Sequence, residues 1–394
     1  MSPPRRERQP SSPPRVRRGS TVPESPAVSI IVLITATADR LLRCLASITR
    51  HRDEGPLAEI LVLANGTSAA ALAALEARDD ILLIRSAVNN GFGGGCNWAV
   101  RYARGGRLVF INDDAVATAG WLATLSGAMD DDGRIGVVGS RVLLTDGRLQ
   151  EAGNVVWRDG STSHLGRGLP ADEPALLARR DVDYVSFCSA MVRRDAWDQV
   201  GGFDEDFFPA YYEDVDLCLS LRTRGWRVVC EPASVVVHEE GASTPVHLRQ
   251  FLSRRNQKRF VVKWTTALAS LPEPPVPLTA RAVMAAATGI HGRSSSFEQA
   301  EPRRGARPAT PRVGTGEVTE REALLTELRH SNDDRLLKDE YIATLTAELD
   351  GYGAITLARK RSLSIRRGIA VRVRRHPRLS RLADWLLGHA GRQR

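Results

Sequence analysis

The 394-residue sequence is poor in cysteine and in long apolar runs. The five cysteines include no CxxC pair and are odd in number, which argues against a disulfide framework and a structural zinc site. No apolar run approaches the about 20 residues that cross a bilayer. The first residues, rich in proline and arginine, lack the apolar stretch of a secretory signal. We therefore expect reduced thiols and a cytoplasmic location.

Several common motifs are also missing. Gly91–Gly95 does not continue into the GxGxxG spacing because residue 96 is a cysteine, and no GxxxxGK[ST] or GxSxG stretch occurs. His238 is followed by two glutamates but not by the second histidine of HExxH. These absences argue against a Rossmann dehydrogenase, a P-loop NTPase, a nucleophile-elbow hydrolase and a zinc protease.

Positive charge is concentrated at the two ends of the chain. The formal net charge is +9, with +4 in residues 1–27 and +11 in residues 353–394, so the middle of the chain carries −6. A nucleic-acid-binding core would itself be basic. We therefore expect no nucleic-acid partner.

Composition divides the chain into five segments. Residues 1–27 are rich in proline and poor in large apolar side chains, which predicts a disordered basic arm. Residues 28–264 have globular composition, and residues 265–318, rich in Pro, Gly, Ser and Arg, read as a linker. Residues 319–352 form a predicted helical segment, and residues 353–394 form a basic amphipathic tail.

The last two segments leave several interpretations open. Leucines at helical spacing within 319–349 favour amphipathic helices and a route to oligomerisation, although 331–335 interrupt a coiled-coil heptad. The basic tail suits an anionic membrane surface, which would place the protein peripherally on the inner face of the plasma membrane. A solvated tail and a helix that docks on a protein partner are the alternatives.

Strand and helix patterns alternate after Val28, which predicts an α/β fold with a mainly parallel sheet. Predicted strands cover Val28–Ile34, Glu59–Leu63, Ile81–Arg85 and Arg107–Ile111, and predicted helices cover 41–48, 68–78 and 96–104, the last after a glycine turn at 91–95. Ligands bind such sheets beyond the carboxyl ends of the strands. The stretches to inspect are therefore Thr35–Arg40, Ala64–Ser68, Ser86–Phe92 and Asn112–Asp114.

Carboxylates cluster at two places. Asn112, Asp113 and Asp114 directly follow a predicted strand, where they either hold a hard cation such as Mg²⁺ or form a turn. Glu213, Asp214 and Asp216 lie within four residues, so mutual repulsion would raise their pKa values, as suits a general base. The alternative for this second cluster is a helix N-terminus, where acids are favoured.

Nine stretches between Val28 and Trp264 carry a resemblance to a known family. They are VSIIVLI, EILVLANGTS, NNGFGGGCN, LVFINDD, GRLQEAGNVV, GGFDEDFF, EDVDLCL, VVVHEEGAS and RRNQKRFVVKW. In this order they resemble family 2 glycosyltransferases of the GT-A fold, most of all the bacterial rhamnosyltransferase and galactofuranosyltransferase branch. The resemblance implies a mainly parallel twisted sheet with flanking helices, followed here by a C-terminal helical tail. Residues 28–114 would bind the nucleotide and residues 115–264 the acceptor.

The resemblance also assigns roles to matching positions. Asp114, with Asn112 and His238, would hold Mg²⁺ or Mn²⁺ at the donor diphosphate, although a lone histidine is more often structural. Asp214, paired with Glu213, would take the proton from the acceptor hydroxyl. The positions that match the nucleotide-sugar site are Thr35, Asn65, Asn89, Gly91, Phe92, Asn97, Asn112, Asp113, Gly202, Phe203 and Asp204.

Three departures from the family pattern concern the nucleoside end and the base helix. Ala64 stands where an aspartate is usual, residues 35–40 depart from the usual TYNR, and Ser220 replaces an arginine. The metal, base and histidine positions match the family, which favours an active enzyme with an unusual nucleotide pocket.

We therefore predict an inverting, metal-dependent glycosyltransferase of cell-envelope polysaccharide synthesis. It would move a sugar from a nucleotide diphosphate donor, a dTDP- or UDP-sugar, to a glycan or polyprenyl-linked acceptor. The alternative is a non-catalytic GT-A-like protein that binds glycan or acts as a scaffold through residues 319–349. A nucleotide-sugar pyrophosphorylase is a weaker alternative, because residues 35–40 lack the glycines of its loop.

Overall fold

The computed structural model describes residues 15–34, 38–67, 69–86, 89–239 and 246–287. The statements below concern these ranges. The predictions for Thr35, for residues 1–14, for most of the linker, and for the segments 319–352 and 353–394 lie outside them.

Strands and helices alternate through the first half of the described chain. The strands are β1 (Arg15–Arg18), β2 (Val28–Ile34), β3 (Ala58–Asn65), β4 (Ile81–Ser86), β5 (Arg107–Asn112), β6 (Ala115–Ala117), β7 (Ile135–Leu144), β8 (Leu149–Glu151), β9 (Asn154–Val156), β10 (Thr162–His164), β11 (Arg180–Asp181), β12 (Ser189–Arg193) and β13 (Arg227–His238). The helices are α1 (Ala38–His51), α2 (Ala69–Glu76), α3 (Gly91–Val100), α4 (Trp121–Asp131), α5 (Arg194–Val200), α6 (Glu213–Arg222), α7 (Val246–Leu268) and α8 (Ala280–Ala286). None of these helices combines the length and the apolarity needed to cross a bilayer.

One large sheet organises the described chain. Its order is β1-β4-β3-β2-β5-β12-β7-β13-β11, with β6 paired to β13 and β8 to β7. Strands β4, β3, β2 and β5 are parallel, and so is the long pair of β7 and β13. The strand β12, antiparallel to both β5 and β7, joins these two parallel groups. The predicted α/β fold is confirmed.

Both faces of the sheet are buried, which explains the unbroken apolar run of β2. Ile31 and Leu33 face one apolar cluster, while Ile30 and Val32 face another. Adjacent residues of a strand point to opposite faces, so a strand covered on both sides needs apolar residues at every position. Helices α1 and α4 cover one face, and α3, α5, α6 and α7 cover the other.

Residues of the predicted disordered arm include an edge strand. β1 pairs antiparallel with β4, and the Gly19 N–H donates to the Ile81 carbonyl at 3.0 Å. The prediction rested on the low apolar content of residues 1–27. An open sheet edge pairs through backbone groups, which composition does not reveal.

The helix α3 begins five residues earlier than predicted, because its glycines lie inside the helix and not in a turn before it. A Cβ on Gly95 would lie 2.6 Å from Leu33 Cδ1, and one on Gly93 would lie 3.1 Å from Phe203 Cβ. Glycine disfavours helices, but here it lets α3 approach the sheet closely. Tertiary packing outweighs the local propensity.

The described chain also continues past Trp264, where the predicted domain ends. Helix α7 runs to Leu268, and Leu271 is fully buried. The Arg158 N–H donates to the Pro272 carbonyl at 2.9 Å. The first part of the predicted linker is therefore packed against the segment that joins β9 to β10.

Candidate active site

Two predicted site residues from distant parts of the sequence are in contact. Asp114 lies between β5 and β6, and His238 ends β13. Because β6 pairs with β13 so that Ala115 faces His238, the two side chains meet, with Asp114 Oδ1 3.0 Å from His238 Nε2. Both residues are more than nine-tenths buried.

The other ring nitrogen of His238 is also engaged. His238 Nδ1 lies 2.9 Å from Gln150 Oε1 on β8. Burial lowers the pKa of His238, but the Cys188 side chain and the Asp114 carboxylate raise it by more, to about 11. Gln150 on one ring nitrogen and Asp114 on the other fix the orientation of the imidazole.

The Asp114–His238 pair fits a divalent cation that takes few protein ligands. Within the described ranges, no group of three histidine, cysteine or acidic side chains is arranged to hold a metal. Glu239 is bound by Arg40 Nε at 2.9 Å and Arg43 Nη2 at 2.6 Å. Ions such as Mg²⁺ use one or two protein carboxylates and complete their shell with water and phosphate oxygens. A carboxylate beside an imidazole suits such a site only when a phosphate ligand supplies the remaining oxygens.

Asn112 and Asp113 lie at the same strand end. Asp113 is 3% exposed, and the Asn112 carbonyl accepts the Cys44 thiol at 3.3 Å. Burial raises the pKa of Cys44, and the nearby Asp113 and Asp114 carboxylates raise it further. The three consecutive predicted residues thus lie near Cys44, in the middle of α1.

The second carboxylate cluster begins α6 after an unusual turn. Tyr211 and Tyr212 have φ values of 77° and 75°, a conformation that is costly for residues other than glycine. Asn256 of α7 holds this turn, because its Nδ2 lies within 2.8–2.9 Å of the carbonyl oxygens of Phe207, Ala210 and Tyr211. Helix α6 therefore starts from a strained turn that α7 stabilises.

Glu213 and Asp214 share the first turn of α6 but differ in environment. Burial and the Asp214 charge raise the pKa of Glu213 well above its ordinary value, and its Oε2 has no hydrogen-bond partner within the described residues. Burial raises the pKa of Asp214 to about 7, against the effect of the Val215 N–H, which donates to Asp214 Oδ1 at 2.8 Å. Both carboxyl groups therefore hold a proton more tightly than ordinary carboxyl groups, and the Asp214 carboxyl titrates near neutral pH.

An asparagine network holds the start of α3 at the end of β3. Asn65 Nδ2 donates to Asn89 Oδ1 at 3.0 Å and to the Gly91 carbonyl at 3.1 Å. The Asn90 N–H donates to Asn65 Oδ1 at 2.7 Å. The N–H of Phe92, which follows Gly91, donates to the Pro209 carbonyl at 2.7 Å. Three predicted positions, Asn65, Asn89 and Gly91, thus position one another.

The loop of Gly202, Phe203 and Asp204, called the pocket loop below, is predicted to belong to the nucleotide-sugar site and is tied to α3 by Asn97. Asn97 Nδ2 donates to the Phe203 carbonyl, and the Phe203 N–H donates to Asn97 Oδ1, both at 2.9 Å. Phe203 is 3% exposed and packs edge-on against Phe92. A Cβ on Gly202 would lie 2.5 Å from Asn97 Oδ1, so only glycine fits there. These contacts give the loop a structural role, and its contact with a sugar stays a prediction.

Asp204 and Asp216 share a lysine. Lys263 Nζ lies 2.6 Å from Asp204 Oδ2 and 2.8 Å from Asp216, and Trp264 Nε1 donates to Asp216 Oδ1 at 2.7 Å. Burial raises the pKa of Asp216, whereas Lys263 lowers it. The sequence points to the three acids of α6 but not to the lysine that joins one of them to the pocket loop.

Strand β8 lies between the Asp114–His238 pair and the acidic residues at the start of α6. Gln150 contacts His238, and the next residue, Glu151, interacts electrostatically with Asp214. Both residues lie in the matched stretch GRLQEAGNVV, for which the sequence assigned no role. Nothing in the pattern around His164, which lies 3.0 Å from Glu151, marks it as a site residue.

The comparisons with known proteins concern the family and the fold of the chain. Residues 29–201 match the model described as glycosyl transferase family 2, and residues 188–270 match that of glycosyl transferase family group 2. The chain is 34% identical over 229 residues to the O-antigen biosynthesis protein RfbC of Myxococcus xanthus, an alignment that covers 56% of this chain and 18% of that protein. It is 27% identical over 256 residues to the N-acetylglucosaminyl-diphospho-decaprenol L-rhamnosyltransferase of Mycobacterium tuberculosis. This alignment covers 59% of this chain and 82% of that protein.

The first two curated relatives are much longer than the matched region, which spans about a fifth of each. Among solved structures, the crystal structure of GalNAc-T7 with UDP, GalNAc and Mn²⁺ matches with a TM-score of 0.50 at 14% identity, covering 62% of this chain and 50% of that one. A likeness at this identity concerns the fold. The family matches show that the chain contains a glycosyl transferase family 2 domain, matched over residues 29–201 and followed by the family group 2 match over residues 188–270, and the structural likeness supports a fold of the GT-A type.

Proposed function

We propose that this domain is an inverting glycosyltransferase that uses a nucleotide diphosphate sugar and a divalent cation, Mg²⁺ or Mn²⁺. The observation that carries the proposal is that the structure brings a candidate metal-binding pair and a candidate base to the two ends of one short strand segment, Gln150 and Glu151. The Asp114–His238 pair is suited to a diphosphate-bound cation, and Asp214 is suited to a base. Adjacent residues of β8, Gln150 and Glu151, connect the two groups.

The reaction needs charge neutralisation on one side and proton removal on the other. A cation held by Asp114 and His238 would neutralise the charge that develops on the leaving nucleoside diphosphate. Asp214, as the carboxylate, accepts the proton of the acceptor hydroxyl while that oxygen bonds to the anomeric carbon and the bond to the diphosphate breaks. Attack from the face opposite the leaving group inverts the anomeric configuration. Burial and the Asp214 charge raise the pKa of Glu213 well above its ordinary value, which favours Asp214 over Glu213 as the base.

The substrate classes follow from the relatives' names and from the family resemblance. The Mycobacterium tuberculosis protein, matched over 82% of its length, is named as a rhamnosyltransferase that acts on N-acetylglucosaminyl-diphospho-decaprenol. The Myxococcus xanthus protein is named for O-antigen biosynthesis. We therefore propose a dTDP- or UDP-sugar as donor and a glycan or polyprenyl diphosphate-linked sugar as acceptor, in cell-envelope polysaccharide synthesis.

A transfer assay with the full chain tests this function. The protein is incubated with dTDP-, UDP- and GDP-sugars, Mn²⁺ or Mg²⁺, and N-acetylglucosaminyl-diphospho-polyprenol. We expect release of nucleoside diphosphate with one donor, dependent on metal, and a product of inverted anomeric configuration by NMR. Metal-dependent donor binding without any transfer would favour the non-catalytic alternative, and a retained configuration would contradict the inverting mechanism.

A further inference from the structure

Residues 207–212, called the α6 turn below, contact both parts of the proposed site. On one side, the Phe92 N–H donates to the Pro209 carbonyl at 2.7 Å, and Phe92 is a predicted nucleotide-sugar position. On the other side, the turn ends at Tyr212, the residue directly before α6. The conformation of the turn therefore determines where Asp214, in the first turn of α6, lies relative to the start of α3.

The backbone of the α6 turn is strained at its end. Among the described residues other than glycine, Tyr211 and Tyr212 alone have a positive φ, at 77° and 75°. Such a conformation persists for a tyrosine only where the surrounding structure holds it. The direction in which α6 leaves the turn depends on these two angles. Whatever holds Tyr211 and Tyr212 therefore also places Asp214.

One buried side chain holds the peptide groups on both sides of Tyr211. Asn256 of α7 is fully buried. Its Nδ2 donates to the Ala210 carbonyl at 2.9 Å and to the Tyr211 carbonyl at 2.8 Å. A third acceptor, the Phe207 carbonyl, lies at 2.8 Å. The two peptide groups that flank Tyr211 are thereby fixed, and with them its φ and ψ angles.

The orientation of this amide is set from its other side. Asn256 Oδ1 accepts from Arg255 Nη1 at 3.1 Å, and the same Nη1 donates to the Phe208 carbonyl at 2.7 Å. Two turns further along α7, Lys263 contacts Asp204 of the pocket loop at 2.6 Å. Helix α7 therefore holds the chain both before and within the α6 turn, and Asn256 reaches the peptide groups next to α6.

The proposed reaction requires that the base and the donor be held at a defined distance. The acceptor oxygen must lie between Asp214 and the anomeric carbon when its proton leaves. A misplacement of about 1 Å in such an arrangement costs about 10²-fold in rate. A turn that relaxed to a negative φ at Tyr211 would move the start of α6, and Asp214 with it, relative to α3.

We propose that Asn256 is a positioning residue for this reaction, which holds the α6 turn so that Asp214 faces the donor beside α3. Because Asn256 is fully buried, it acts through the turn and not by contact with a substrate. The proposal rests on the proposed function, since it takes Asp214 as the base. It goes beyond that function by assigning a role to α7, whose stretch RRNQKRFVVKW carried only the family resemblance.

A double-mutant cycle tests this role, because glycine adopts a positive φ without strain. Asn256→Ala is made in the wild type, in Tyr211→Gly and in Tyr211→Ala. The last two both remove the tyrosine side chain, but only glycine keeps the turn without the amide. We expect Asn256→Ala to lower kcat about 10²-fold in the wild type and in Tyr211→Ala, and to have little effect in Tyr211→Gly.

Nucleotide binding and a stability control accompany the cycle. Metal-dependent binding of UDP or dTDP with Mn²⁺, followed as a shift in Tm, should be kept in every variant, because β6 and β13 hold the metal-ligand candidates. The control is Leu125→Ala, at a fully buried residue of α4, which covers the opposite face of the sheet from α6 and α7. Its cavity should lower the Tm. We expect its kcat to equal that of the wild type at a temperature below both midpoints.

The outcomes separate the positioning role from the proposed function. A wild-type protein that transfers no sugar overturns the proposed function, and this role with it. An active wild type overturns the role alone if Asn256→Ala keeps its kcat, if the loss is the same in Tyr211→Gly as in Tyr211→Ala, or if Leu125→Ala shows an equal loss. Where Asn256→Ala does not fold, Asn256→Ser, which keeps a hydroxyl donor, replaces it in the same cycle.

Discussion

His238 and Asp114 are 124 positions apart in the chain, yet their side chains meet at 3.0 Å in a buried contact. The short strand β6 follows Asp114 directly and pairs with the last residues of β13. This pairing places one ligand candidate from each half of the domain at one point. A site assembled in this way is sensitive to the loss of either residue.

Asp114→Ala should abolish the metal-dependent part of nucleotide binding. A ligand present at 100 times its Kd adds about 2.7 kcal/mol to the stability of the folded state, which corresponds to about 5–10 °C in Tm for a domain of this size. We measure Tm with UDP, dTDP and GDP, with and without Mn²⁺. We expect a metal-dependent shift with one nucleotide in the wild type and none in Asp114→Ala. Asp53→Ala, at a side chain 91% exposed, is the control and should behave like the wild type.

Asp214→Asn should remove transfer but keep donor binding. A positioned general base contributes about 10²–10⁴-fold, so kcat should fall by that factor. In the wild type the pKa of Asp214 is raised to about 7, and only the carboxylate is active. We therefore expect kcat to increase as the pH rises through about 7 and to level off above it. A rate that stays flat between pH 5 and 9 would contradict the assignment of Asp214 as the base.

The same substitution should stabilise the fold at alkaline pH. The folded-state pKa of Asp214 lies above its ordinary value of 3.8, so the folded protein binds the proton more tightly than the unfolded chain. Stability is therefore full below pH 3.8 and is lost as the pH rises towards 7. Asparagine removes this loss of stability, which is worth roughly 1–2 kcal/mol for a partly exposed group, or about 2–8 °C in Tm. Thermal unfolding at pH 8 should show a higher Tm for Asp214→Asn than for the wild type, and a lower Tm would contradict the raised pKa.

Lys263→Met should destabilise the domain strongly. It removes the cation that bridges Asp204 and the buried Asp216, and breaking a buried ion pair in this way costs about 3–5 kcal/mol. Lys258→Met, at an exposed position of the same helix, is the matched control and should change stability by less than about 0.5 kcal/mol. Urea unfolding of both variants measures the difference. Equal stability of the two variants would show that Lys263 does not hold the pocket loop to α6.

Deleting residues 353–394 should release the protein from anionic vesicles. This segment carries a net charge of +11, and each basic residue near an anionic surface contributes about 1 kcal/mol of binding. Binding of the full chain should weaken as salt is raised and should be absent on neutral vesicles. Cosedimentation of both forms, with Tm as a check on the truncated form, measures the effect. Unchanged binding of the truncated form would exclude the tail as the membrane anchor.

Much of the fold could be predicted because its signals are local. The unbroken apolar run of β2 reflects burial on both faces, and the acidic residues after β5 lie at a strand end, as the α/β pattern requires. The helix α3 could not be placed correctly, because its four glycines are poor helix formers in isolation. The helix needs glycine at these positions because Leu33 and Phe203, which belong to other parts of the chain, pack closely against it.

The sequence by itself determined the α/β class, the order of the strands along the chain and the residue types available for chemistry at their ends. It also pointed to Asp114, Asp214 and His238 as residues of one site. Only the tertiary structure decided which of these side chains meet, that Lys263 joins Asp204 to Asp216, and that His164 lies beside Glu151. The physical reason is that apolar periodicity is read over neighbouring residues, whereas hydrogen bonds and ion pairs between distant residues depend on strand pairing and helix packing.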